Sequence, residues 1–148
     1  MQIVNRPVII CRGKFAPGGN ESSIGPPASG ATITLYDSTA NSNGLPGNPP
    51  LPFTRLLLNI YSSHIGGTNG LVFQSDFDGG NTNWRNQATQ TLPATTPTTY
   101  DYLLRGDQAK IAFTNSANVL TAWEFTLIGV VGDRDAGVLA STATYVLL

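Results

Sequence analysis

The sequence predicts an all-β fold: an antiparallel two-sheet β-sandwich of jelly-roll type, built from about eight short strands. Two observations carry that prediction. Apolar residues alternate with polar ones at period two in many short segments, as half-buried strands require. Between the segments stand clusters of Gly, Pro, Asn, Asp and Ser, the residues that turn a chain.

The clearest stretch is Leu71 to Trp84, LVFQSDFDGGNTNW. Leu71, Phe73 and Phe77 share one side of an extended strand, and Asp78-Gly79-Gly80-Asn81 supplies the hairpin turn, because glycine takes positive φ without a Cβ clash. Its return strand runs over Trp84 to Leu92. Upstream, Ala31 to Tyr36 (ATITLY) alternates Ile33 and Leu35 against Thr32, Thr34 and Tyr36. Arg55 to Tyr61 (RLLLNIY) places Leu56, Leu58 and Ile60 on one face and Arg55, Leu57, Asn59 and Tyr61 on the other, as a central strand with a mixed outer face would. A turn over His64 to Gly70 leads into the hairpin.

Downstream, Thr98 to Arg105 and Ala109 to Thr114 read as two strands of a hairpin turned at Gly106-Asp107. Ala117 to Ile128 also fits a helical stripe through Val119, Leu120, Trp123 and Leu127. Strand is favoured there because Trp123, Phe125 and Leu127 alternate and Thr121 and Thr126 are β-branched. Gly129 to Gly137 reads as a strand end and loop, and Thr142 to Leu148 as a last strand.

Two segments interrupt the pattern. After the short apolar run Val8 to Cys11, the chain becomes rich in Gly, Pro and Ser up to residue 30, too poor in apolar groups to offset the entropy of ordering itself. The division expected is an extended N-terminal arm over 1–30 and a single sandwich domain over 31–148. The second interruption, Asp37 to Pro52, is a loop, since Pro46, Pro49, Pro50 and Pro52 lack the donor a central strand needs. Loops of that length are commonly functional, which makes it a contact candidate.

Composition narrows the function. Charged residues are 11% of the chain, well under the roughly 25% of an average soluble protein, and the net charge is -1. No basic cluster marks a nucleic-acid partner, and no apolar run or basic amphipathic helix marks a membrane. Cys11 is the only cysteine, so no internal disulfide forms and a buried structural thiol is expected. No segment resembles a secretion signal, which points to synthesis in a cytoplasm.

Candidate chemistry is sparse. His64, the only histidine, stands among turn residues with no nucleophile at a telling spacing. Asp76, Asp78, Asn81 and Asn83 have the oxygen spacing of a calcium loop, but Gln87 stands where a bidentate Glu belongs, so the hairpin reading prevails. Arg105-Gly106-Asp107 spells an adhesion tripeptide and equally a tight turn. Trp84 with Tyr36, Tyr61 and Tyr102 could form a sugar-stacking platform, or be core and cross-strand pairs. Asp133-Arg134-Asp135 concentrates scarce charge in one loop, as a polar contact to a partner would. The expectation is a protein without catalytic residues, cofactor or metal.

Across Leu56 to Asp133 the order is an apolar strand, a strand ending in FDGGNTNW, a YDYLLRG strand, and then WEFTLIG. In this it resembles the small β-sandwich virion proteins of tailed bacteriophages, the capsid decoration or cement proteins. The resemblance implies a non-enzymatic structural protein made in the host cytoplasm and carried on the outer capsid surface. There it would hold neighbouring copies of the major capsid protein together as a homodimer or homotrimer. The arm would touch the shell through Phe15, Ile24, Pro26 and Pro27, the long loop through Leu45, Pro49 and Pro50, and the charged loop through Asp133, Arg134 and Asp135. The alternative from another class is a carbohydrate- or receptor-binding module of a phage tail or fibre.

Overall fold

In the computed structural model the described residues are 6–16, 19–20, 26–39, 53–77, 83–106 and 108–131. They form nine strands and no helix: β1 (Arg6–Ala16), β2 (Gly19–Asn20), β3 (Thr32–Asp37), β4 (Phe53–Ser62), β5 (Gly66–Asp76), β6 (Trp84–Gln90), β7 (Thr98–Leu103), β8 (Gln108–Asn115) and β9 (Trp123–Val131). The first sheet has the order β2-β1-β9-β4-β7 and the second β3-β8-β5-β6. Apart from the two-residue β2, this is two antiparallel sheets of four strands, a two-sheet sandwich.

The pairing is nested. Leaving β2 aside, the first strand lies beside the last (β1 with β9), the second beside the seventh (β3 with β8), the third beside the sixth (β4 with β7) and the fourth beside the fifth (β5 with β6). Pairings of β4 with β9 and of β5 with β8 then complete the two sheets. A rolled-up arrangement of this kind puts distant parts of the chain side by side, so the core is assembled almost wholly from long-range contacts.

That core lies between the sheets. Leu56, Leu58 and Ile60 of β4 and Phe125 and Leu127 of β9 point inward from one side, and Leu71, Phe73, Ile111 and Phe113 from the other. Trp123 reaches across: its ring lies 5.0 Å from Phe113 of the opposite sheet and 5.8 Å from Phe125. Toward β7 a second cross-sheet pair, Phe73 and Tyr102, stacks at 4.6 Å. Aromatic pairs in these offsets stabilise beyond the area they bury.

Four expectations are corrected. Residues 6–16 are not an arm but a full strand, because CRGKF is itself alternating: Cys11, Gly13 and Phe15 turn inward while Arg12 and Lys14 face out. The bulge at Ile10 brings that residue into the core too, and β9 satisfies the backbone. Residues 64–70 are not one turn, since β5 already begins at Gly66, which pairs with Asn115. Phe77 lies beyond the end of β5 and is 44% exposed, with the Arg85 guanidinium over its ring.

Finally, β7 and β8 are not a hairpin. Their inward residues, Tyr102 and Leu104 against Ala109 and Ile111, belong to opposite walls of the core, so the chain must cross from one sheet to the other between them. Gly106 makes that crossing, pressed onto the backbone carbonyl of Asp76 so closely that a Cβ would overlap it. Gly106→Ala is therefore expected to lower stability by about 1–3 kcal/mol, the usual cost of overpacking. A urea denaturation midpoint equal to wild type would contradict this placement.

Candidate functional site

The outward side chains of the first sheet follow from its register. With Leu56, Leu58, Phe125 and Leu127 turned inward, the residues between them must face out. They form four cross-strand rows: Pro7–Val130–Arg55–Leu103, Ile9–Ile128–Leu57–Asp101, Arg12–Thr126–Asn59–Thr99, and Lys14–Glu124–Tyr61. The face is thereby divided. Its first two rows are mainly aliphatic, with Ile9 61% and Leu103 43% exposed, and its last two are polar.

At the β7 edge of the apolar half, the Arg55 guanidinium is bound to the Asp101 carboxylate, Nε to Oδ1 at 3.1 Å. The Asp101 hydrogen bond and charge raise the Arg55 pKa further. In the polar half, an open groove of about 480 Å³ is bounded by Asn59, Tyr61, Pro97, Thr99, Glu124 and Thr126. The Thr99 hydroxyl donates to the Asn59 side-chain oxygen. On the other side of Glu124 a shallower groove holds Arg12, Lys14 and Thr126.

The outer face of the second sheet differs, because its polar groups pair with one another. Thr32 and Thr114 share a hydrogen bond at 2.7 Å, Gln74 donates to Asn86 at 2.8 Å, and Lys110 reaches Asp37 at 3.5 Å while lying 4.3 Å from the centre of the Trp84 ring. Such a face has little left to offer a partner, whereas a clustered aliphatic surface tends to be covered.

The residues expected to touch a partner are distributed otherwise. Phe15 is half-buried and packs against the core, opposite Trp123 in register. Pro26 is half-buried and Pro27 buried, with the Asn115 amide donating to the Pro27 carbonyl at 3.3 Å and to that of Asn118 at 2.8 Å. Phe15 and Pro27 thus serve the protomer itself, since each fills space that the core would otherwise leave open. Ile24, Leu45, Pro49, Pro50, Asp133, Arg134 and Asp135 lie outside the described residues, as does the strand expected over Thr142 to Leu148.

The remaining candidates are also placed. His64 Nδ1 stands 3.0 Å from the Ser63 hydroxyl, whose oxygen accepts the amides of Thr121 and Ala122, so the pair ties a turn to the entrance of β9. Asp76 is fully buried and accepts the Asn83 amide at 3.3 Å; Asp78 and Asn81 lie outside the described residues. In the Arg105-Gly106-Asp107 tripeptide, Gly106 is buried. The four rings of the imagined platform are dispersed: Tyr36 and Tyr102 are in the core, Trp84 is on the second sheet's outer face, and Tyr61 is on the first. Cys11 is buried, its thiol donating to the Leu35 carbonyl at 3.4 Å, and burial pushes its pKa up to about 12.

What sequence reasoning missed is the outward apolar half itself. The signal was present in Leu57, an aliphatic residue on the wrong face of β4, and in Ile128 and Val130, which break the alternation of β9. Among the described residues no helix is long and apolar enough to cross a membrane. A scan against protein-family models and searches of curated proteins and of solved structures each return no match.

Proposed function

We propose that this chain is a non-enzymatic virion structural protein, a capsid decoration protein that seats on the major capsid protein through the apolar half of the first sheet's outer face. The observation that carries the reading is the exposure of Ile9 and Leu103 beside Pro7, Leu57, Ile128 and Val130, an aliphatic surface on a chain whose other outer face is self-satisfied. Covering such a surface is favourable by roughly 25 cal/mol per Å² removed from water. The nested strand order supports reading the sandwich as a jelly roll, a framework common among capsid and lectin domains. Because β1 is a strand, the grip attributed to an arm passes to the outward side chains of that strand. A homodimer or homotrimer around a local symmetry axis of the shell completes the proposal.

Ile9→Asp and Leu103→Asp place a charge where the shell would bury an aliphatic group. Each is expected to leave the melting temperature within about 2 °C of wild type, since surface changes usually alter stability by under about 0.5 kcal/mol. Each should also reduce the copies retained on purified particles at least tenfold, read by quantitative mass spectrometry. Full retention of both variants would remove this face from the docking mechanism.

A further inference from the structure

The groove in the polar half of the same face is a site of a different kind. Its wall includes the Tyr61 ring and Pro97, which are flat and apolar, and its rim carries hydrogen-bonding groups: the Asn59 amide, the Thr99 and Thr126 hydroxyls and the Glu124 carboxylate. Among the described residues the Glu124 carboxylate and the Tyr61 hydroxyl have no protein partner, and neither Arg12 nor Lys14 pairs with Glu124. The volume, about 480 Å³, is in the range that holds a small ligand. The chemistry is selective. A carboxylate on the rim disfavours an anion, the hydroxyls and amide disfavour a purely apolar ligand, and the ring beside them suits a molecule with one C–H face and several hydroxyls. A sugar ring has that pattern.

We infer that this groove binds a hexose unit of an oligosaccharide, with the sugar's C–H face on Tyr61 and its hydroxyls bonded by Asn59 and Glu124. The shallower groove beyond Glu124 continues the trough across β9 to β1, giving the next unit of the chain a place to lie. The inference does not depend on the capsid reading: it holds equally for a shell protein, a tail module or a free protein.

The test uses the full chain on an array of neutral oligosaccharides of glucose, galactose, mannose and N-acetylglucosamine, followed by calorimetric titration of the strongest binder. Binding is expected in the micromolar to millimolar range, with Tyr61→Ala weakening it at least about tenfold through loss of the ring face. Trp84→Ala, on the opposite sheet, should leave it within twofold. Should Tyr61→Ala fail to fold, Glu124→Gln takes its place, with an expected loss of at least about fivefold. An array without binding, binding that survives both groove substitutions, or equal loss in Trp84→Ala would overturn the assignment.

Discussion

Trp123→Ala is expected to remove about 3–5 kcal/mol of stability, the cost of emptying a large aromatic site in a packed core. The whole stability of a domain of this kind is about 5–15 kcal/mol, so the variant should lose between a third and nearly all of it. The side chain is 1% exposed and stacks on Phe113 across the core, so its removal opens a cavity between the sheets rather than at an edge. At about 2–4 °C per kcal/mol, the melting temperature should fall by roughly 6–20 °C. Trp123→Phe provides the control. It keeps most of the packing and also removes the indole N–H, which is buried without a hydrogen-bond partner in the described structure, so it should cost less than half as much. Equal losses in the two variants would show that the ring packing is not what holds the sheets together here.

Stability is expected to decline steeply in alkali. Burial raises the pKa of the Cys11 thiol from 9.0 to about 12. It also raises those of the Tyr36 and Tyr102 hydroxyls above the ordinary value of 10.0, helped at Tyr36 by Cys11 and Asp37 and at Tyr102 by Tyr100. In each case the folded state favours the neutral form. The unfolded chain therefore releases these protons first, and the stability they lend is complete below pH 9 and lost as pH rises from there toward the folded pKa values. Each group costs about 1.4 kcal/mol per pH unit once its unfolded form is ionised. Urea midpoints measured at pH 8, 10 and 11 should fall progressively, and Cys11→Ala should flatten the part of the decline that begins near pH 9. A midpoint independent of pH over that range would show that these groups are not buried as described.

The contrast between what could and could not be read from the chain is physical. Period-two alternation made β3, β4, β6, β7, β8 and β9 legible, because each has one face fully committed to the core. It failed where a strand mixes purposes. In β1 the outward Arg12 and Lys14 disguised an inward series of Cys11, Gly13 and Phe15, and the bulge at Ile10 shifted its phase. Strand pairing was legible for β5 with β6, joined through a short turn, and misleading for β7 and β8, since sequence neighbours give no sign of which sheet they enter.

The candidate site was the least legible feature. Proline-rich segments drew attention as contact elements, whereas the surface that stands out in three dimensions is made by single residues from four strands, Ile9, Ile128, Leu57 and Leu103 among them. No local window contains more than a few of them. The groove was hidden for the same reason, its Asn59, Thr99 and Glu124 being brought together only by the register of β4 with its two neighbours.

The most direct measurement is a cryo-electron microscopy map of the purified particle at a resolution that orients the sandwich. The account predicts density for this chain on the outside of the shell, with Ile9, Leu103 and Val130 against the major capsid protein and the Tyr61–Glu124 end facing solvent. A map with Trp84 and Lys110 of the second sheet against the shell, or particles without this chain, would contradict it.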